Sequence, residues 1–218
     1  MTEDSNNPTP QRRPLALDDI LLPNAFAYEE GTVDFAVLFG NSRPVELEIG
    51  SGKGTFLVHR AKARPEVNFL GIEWANQYCR LAADRMARWG LGNVRMLRAD
   101  AAAFVQKRIA DNSLQRVHIY FPDPWPKTRH RKRRIIQPPF VELIYRKLCI
   151  GGQLAVVTDH RDYARQMAWV IFGQRGFATV PFPRTHGAGA GEVVGTNFER
   201  KYIAQGRRFF SLAVMKWR

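Results

Sequence analysis

Five short apolar runs recur along the chain with segments of helical period between them: VELEI (45–49), VNFLGIE (67–73), NVRML (93–97), RVHIYF (116–121) and QLAVVT (153–158). Each run reads as a strand. Helices are predicted from about Thr55 to Ala63, through Trp89 to an end near Gly90, and near 101–110, 135–148 and 160–175. Strands alternating with helices predict an α/β fold with a parallel, doubly wound sheet. The last 40 residues change character: FATVPF and RFFSLAVMKW read as two strands joined by a long loop, suited to an antiparallel edge. At 218 residues the chain suits one domain, set at 21–218, with no internal repeat. Residues 1–20 are expected to form a disordered N-terminal arm, because residues 1–14 are polar and rich in Pro and Asn.

Charge narrows the partner. Thirty-three Lys and Arg against 20 Asp and Glu leave a net +13. That balance points to an anionic partner, nucleic acid ahead of a membrane surface, against the plainer reading of a generally basic protein. Cys79 and Cys149 form no CxxC pair and read as buried thiols of a reducing compartment. The five histidines lack metal-ligand spacing, so no metal is expected. The N-terminus has no apolar core of a signal peptide, and no run approaches a membrane span. A cytoplasmic protein without membrane contact is expected.

In a doubly wound sheet, ligands bind outside the carboxyl ends of the strands. The first strand delivers Glu48 and then GSGKG, with Gly50, Gly52 and Gly54. These glycines permit a tight turn and close backbone approach to a ligand. The second strand ends in Glu73, 23 residues after Gly50, placed to accept bonds from both ribose hydroxyls. The third leads to Asp100 and the fourth to Asp123. Singly, each acid has a plain explanation, and Asp100 reads equally well as the cap of the helix beginning at Ala101. Together they read as a nucleoside-cofactor site. The glycine spacing is GxGxG rather than GxGxxG, and carboxylates crowd the place a pyrophosphate would take. A cofactor bearing a sulfonium and an ammonium fits better, which favours S-adenosyl-L-methionine over NAD. Glu73 would then hold the ribose, Asp100 the adenine end, and Glu48 and Asp123 the methionine part.

The stretch YFPDPWPKTRHRKRR (120–134) locks Asp123 between two prolines beside Trp125 and follows it with a basic run. The prolines hold the carboxylate and the ring in place, with Trp125 available to stack on a base. Lys127, Arg129, Arg131, Lys132, Arg133 and Arg134 read as phosphate contacts, against the alternative of a solvated basic helix start. An aromatic among cations beside a catalytic corner favours RNA over a small metabolite.

The motifs ELEIGSGKGTFL, GIEWA, RADA, IYFPDPWPKTRHRKRRI, VVTDHRDYA and TNFERKY resemble those of the bacterial single-chain tRNA (guanine-N7-)-methyltransferases, from about Val45 to the C-terminus. The resemblance implies a Rossmann-like class I methyltransferase fold. It implies S-adenosyl-L-methionine as donor and the variable-loop guanine of tRNA as acceptor. Carried over by position, Glu48, Glu73, Asp100 and Asp123 would be cofactor residues; Asp123, standing at the reacting end, is expected to be the catalytic one by stabilising charge on the purine. On the substrate side it implies Lys127, Asp159 and the loop Thr196, Asn197, Phe198 and Glu199. Asp159 reads equally well as a helix cap, and Thr196 and Asn197 as turn residues. The chain departs from the family at its N-terminal arm, which offers only Arg12 and Arg13 before the acidic ALDDILL. More of the tRNA binding is therefore expected to fall to the basic run and to Arg200, Lys201, Arg207 and Arg208. The rival readings are a methyltransferase acting on another RNA, a protein or a small molecule, a non-catalytic RNA-binding protein, and a dehydrogenase. Monomer and homodimer are both compatible with the sequence.

Overall fold

The computed structural model describes residues 14–183, 188–189 and 192–218. Seven strands form one sheet: β1 (Val45–Ile49), β2 (Asn68–Ile72), β3 (Val94–Leu97), β4 (Leu114–Tyr120), β5 (Leu148–Thr158), β6 (Phe177–Thr179) and β7 (Phe210–Lys216). Their order is β3-β2-β1-β4-β5-β7-β6. β1 to β5 are parallel, and β7 runs antiparallel between β5 and β6, which makes the expected antiparallel edge. The chain winds outward from β1 through β2 to β3, then crosses back to lay β4 on the other side of β1. That reversal opens a crevice above the carboxyl ends of β1 and β4, the usual ligand position in such sheets.

Among the described residues seven α-helices accompany the strands: α1 (Phe35–Phe39), α2 (Thr55–Ala63), α3 (Asn76–Arg88), α4 (Ala101–Arg108), α5 (Pro138–Lys147), α6 (Arg161–Gly173) and α7 (Asn197–Ile203). β1 shows how both faces are used. Val45, Leu47 and Ile49 enter one apolar layer with Phe104, Phe140 and Tyr163 from α4, α5 and α6. By the two-residue period of a strand, Glu46 and Glu48 face the other side. There α2 and α3 supply Phe56, Ala82 and Met86. At Gly54 a Cβ would stand 2.8 Å from that of Ala82 and 2.7 Å from Met86, and its φ is +68°, so the entry to α2 requires glycine on two counts.

Several boundaries differ from expectation, three of them for a clear local reason. α5 begins at Pro138 rather than 135, because Pro138 and Pro139 lack the amide hydrogens of a helix interior and suit its first turn. β5 begins at Leu148 rather than 153: Gly151 and Gly152 lie within the strand, where the register against β4 shifts. The third correction concerns the arm. Residues 14–20 pack on the domain, with the Leu15 amide donating to the Ala87 carbonyl at 2.9 Å and Ile20 fully buried. The rest of the expected arm, 1–13, lies outside the described residues. Of the two closing strands, β7 falls within RFFSLAVMKW, while β6 keeps only Phe177–Thr179 of FATVPF, and α7 lies in the connection between them.

Candidate active site

A cleft of about 920 Å³ opens at the carboxyl ends of β1, β2 and β4. Glu48, Gly50, Gly52, Glu73, Asp100 and Asp123 all line it. The loop after β1 turns through Gly50 and Gly52, whose φ values are +79° and +52°. Glu73 holds this loop from the neighbouring strand: one of its carboxylate oxygens accepts from the Gly52 amide and the other from Ala75, each at 2.8 Å. Asp100 fills both roles open to it, capping α4 by accepting from the Ala103 amide at 2.8 Å while lining the cleft.

Glu48 differs from the other three. It is 3% exposed, and its Oε2 makes no well-formed hydrogen bond to any described residue; the neighbouring Ser51 Oγ, also without a well-formed bond, is close enough to act on the carboxyl. Burial pushes its carboxyl up to about 8; the Ser51 hydroxyl pulls it down, and the charge of Glu73 adds to the rise. A buried acid with a free oxygen is costly unless something arrives to pair with it.

Below the cleft, on the same side of β1, lies a closed polar network. Glu46 takes Arg60 through two nitrogens at 3.1 and 3.2 Å and His118 Nε2 at 2.8 Å. His118 Nδ1 lies 2.7 Å from the Tyr120 hydroxyl. Burial lowers the His118 pKa, so the ring is neutral near pH 7; Nε2 then donates to Glu46 and Nδ1 accepts from Tyr120. Burial alone would raise Glu46, but the hydrogen bonds from His118 and Arg60, with the Arg60 charge, outweigh it and hold the carboxyl well below the usual range. With His118 neutral, the charge that stabilises Glu46 is chiefly that of Arg60.

The FPDPW corner is a strained turn. Phe121 and Trp125 have φ of +52° and +40°, a region that bulky side chains seldom occupy. Asp123 projects from it, exposed, on the cleft. Trp125 lines the cleft with the Arg133 guanidinium 5.0 Å over its ring and His130 edge-on at 5.9 Å. The basic run forms a 3-10 helix, Thr128–Arg133, with Lys127 exposed at its cap position. Arg129, Arg131, Lys132 and Arg133 are exposed too, with Arg131 3.3 Å from Asp162. Arg134 is the correction. It is 2% exposed, donating to the Pro124 carbonyl at 2.7 Å, to Gln166 at 2.7 Å and to Asp162 at 2.8 Å. It ties the corner to α6 and is not placed to meet a phosphate.

The TNFE segment also divides. Thr196 and Phe198 line the cleft, and the Thr196 hydroxyl caps α7. The Asn197 backbone opens α7, while its side chain lies outside what the structure describes. Glu199 is fully buried and receives the amides of Val193, Val194 and Gly195. It fixes its own loop instead of reaching a substrate. Asp159 is bound by Arg207 at 2.7 Å and does not line the cleft; the α6 cap is His160. Several lining residues escaped the sequence reading, among them Ser51, Trp74, Tyr78, Tyr120 and Phe121. Trp74 and Tyr78 carry the clearest available signal, an exposed aromatic pair just after Glu73.

The donor set fits a nucleoside cofactor with a cationic end. Glu48 offers an unpaired buried oxygen and the rim carries three further carboxylates, an arrangement hostile to a pyrophosphate. Among the described residues no cluster of three or more His, Cys, Asp and Glu could hold a metal, and no helix is long and apolar enough to cross a membrane. Cys79 is buried, and burial pushes its thiol up to about 11; Cys149 is only half-buried.

A family model described as "Putative methyltransferase" matches residues 42–212. The tRNA (guanine-N(7)-)-methyltransferase of Yersinia enterocolitica is 44% identical over 163 residues, 75% of this chain and 68% of its own. The protein of the same name from Klebsiella pneumoniae is 44% identical over 162 residues, 74% of this chain and 68% of its own. Among solved structures, a SAM-dependent methyltransferase from Aquifex aeolicus superposes with a TM-score of 0.53 at 15% identity, covering 82% of this chain and 85% of that one. At that identity the likeness is one of fold alone.

Proposed function

The chain belongs to the tRNA (guanine-N7-)-methyltransferase family, and we propose that it transfers a methyl group from S-adenosyl-L-methionine to N7 of a guanine in the variable loop of tRNA. The observation that carries this reading is the unpaired Glu48 oxygen in a carboxylate-lined cleft beside the FPDPW corner and its basic run. Glu48, Gly50, Gly52, Glu73 and Asp100 would hold the cofactor, which supplies an electrophilic methyl group on a sulfonium.

Guanine N7 carries an in-plane lone pair outside the aromatic sextet, so no proton has to leave before it attacks. A strong general base is unnecessary, in keeping with the lack of any His or Cys among the described residues that line the cleft. Positioning does the main part of the work. Asp123, on a turn fixed by two prolines, stands where positive charge develops on the purine and stabilises it. Trp125, held by Arg133, offers a flat face to the base. Lys127, Arg129, Arg131, Lys132 and Arg133 supply phosphate contacts, and Thr196 and Phe198 close the acceptor side.

Labelled S-adenosylmethionine is incubated with unmodified tRNA, and borohydride–aniline cleavage then locates N7-methylguanine. One cut in the variable loop is expected. Label without that cut removes the N7 assignment, and no label with cofactor binding intact points to another acceptor. Asp123→Asn should lower turnover by about 100-fold with the melting temperature unchanged. Wild-type turnover in that variant removes Asp123 from the chemistry.

A further inference from the structure

α6 leaves the rim of the site at Arg161 and runs down the outside of the sheet. Its inward residues Tyr163, Met167, Val170 and Ile171 are buried. At 3.6 residues per turn, Arg161, Arg165, Trp169 and Phe172 fall within an arc of roughly 80° on the opposite face. All four are exposed, Trp169 at 72% and Phe172 at 59%. Neither Arg161 nor Arg165 has a carboxylate partner among the described residues, whereas Arg131, Arg134 and Arg207 nearby in the fold all have one. Among the described residues nothing packs on this exposed indole and phenyl ring, which stand beside two guanidinium groups without a carboxylate partner.

The stripe is continuous with the basic run. Arg131 and Arg134 both reach Asp162 on α6, and Arg134 also reaches Gln166. Asp162 and Gln166 lie on the flank of α6 next to Arg165 and Trp169, so the 3-10 helix and the stripe form one cationic surface. It extends from the corner beside the cleft for roughly 16 Å down the helix. Cations that meet phosphates and rings that stack on bases or riboses are the pairing used to grip single-stranded or unstacked RNA. A second copy of the chain is the weaker occupant, because facing two such stripes brings like charges together between molecules that each carry +13.

We propose that the outer face of α6, through Arg161, Arg165, Trp169 and Phe172, is a second RNA-contact surface that grips the substrate beyond the nucleotide being methylated. It rests on the RNA substrate argued above and extends it to a surface outside the cleft.

The test is direct binding of unmodified full-length tRNA at several salt concentrations, with S-adenosylmethionine binding measured alongside. Trp169→Ala should weaken tRNA binding by about fivefold or more. The double variant Arg161→Gln/Arg165→Gln should reduce the log–log salt slope by about 2. Cofactor affinity should match wild type in both, which also reports an intact fold. Wild-type tRNA affinity and slope in both variants overturn the proposal. So does sedimentation showing a wild-type dimer that Trp169→Ala converts to a monomer with tRNA affinity unchanged. If the wild type binds tRNA through Trp169 but methylates none, the catalytic reading falls and this one stands. If it methylates tRNA and the variants bind like wild type, this one alone falls.

Discussion

Glu46 and Glu48 stand two residues apart on one strand, on the same side of the sheet, and both are almost completely buried. Their surroundings are opposite. Glu46 is enclosed by Arg60, Arg116 and His118, and its carboxyl is held well below the ordinary range. Glu48 has one oxygen with no partner and a carboxyl pushed up to about 8. The lower acid is complete within the protein, whereas the upper one is left unfinished at the mouth of a cleft. Burial alone therefore does not mark a functional carboxylate. What separates the two is whether the fold has already supplied the countercharge.

If that distinction is right, the two glutamates respond to the same change in opposite ways. Glu46→Gln leaves Arg60 buried without its anion, and breaking a buried pair from one side costs about 3–5 kcal/mol. The denaturation midpoint should fall at constant slope. A loss under about 1 kcal/mol would mean the network contributes no more than a surface pair.

Glu48→Gln should do the reverse. With its folded pKa raised to about 8, Glu48 favours the folded state while protonated in both states. As pH rises from the unfolded value near 4 towards 8, the unfolded chain ionises first. Wild-type stability in the absence of cofactor is lost across that window, by up to a few kcal/mol. The Gln variant should be flat there and more stable at pH 8, yet bind S-adenosylmethionine about tenfold or more weakly. A variant that is both less stable and weaker in binding would make Glu48 a second structural acid and erase the contrast.

This contrast was hidden in the sequence, although much else was legible. The apolar runs mark the parallel strands, and GSGKG with the apolar period after it brackets α2 from Thr55 to Ala63. Glu48, Glu73, Asp100 and Asp123 meet in one cleft because each follows or ends a parallel strand, and the carboxyl ends of such strands share one rim. What the sequence could not assign were residues whose fate depends on distant partners. VELEI presents two similar glutamates, and only the fold brings Arg60 and His118 to one of them. The buried amides that make Glu199 structural come from the turn just before its helix, a geometry TNFE does not encode. Leu15 and Ile20 look like stray apolar residues until α3 and β3 supply Ala87 and Met96.

The basic run repeats the same distinction at smaller scale, since Arg133 and Arg134 are adjacent and equal in charge. Arg134 is satisfied by Pro124, Asp162 and Gln166, while Arg133 is exposed over Trp125 on the cleft wall, with Arg129 and Lys132 in solvent. A guanidinium already committed to protein acceptors neutralises no phosphate, and so displaces none of the counterions condensed on the RNA. Only the exposed members should appear in the salt dependence of tRNA binding. Replacing Arg129 or Lys132 with Gln should each reduce the log–log slope by about 1 and leave the melting temperature unchanged. Arg134→Gln should lower the melting temperature and leave the slope as it was. A slope change on losing Arg134, with none on losing Arg129 or Lys132, would mean that the run rearranges on RNA and that Arg134 leaves Asp162 to take a phosphate.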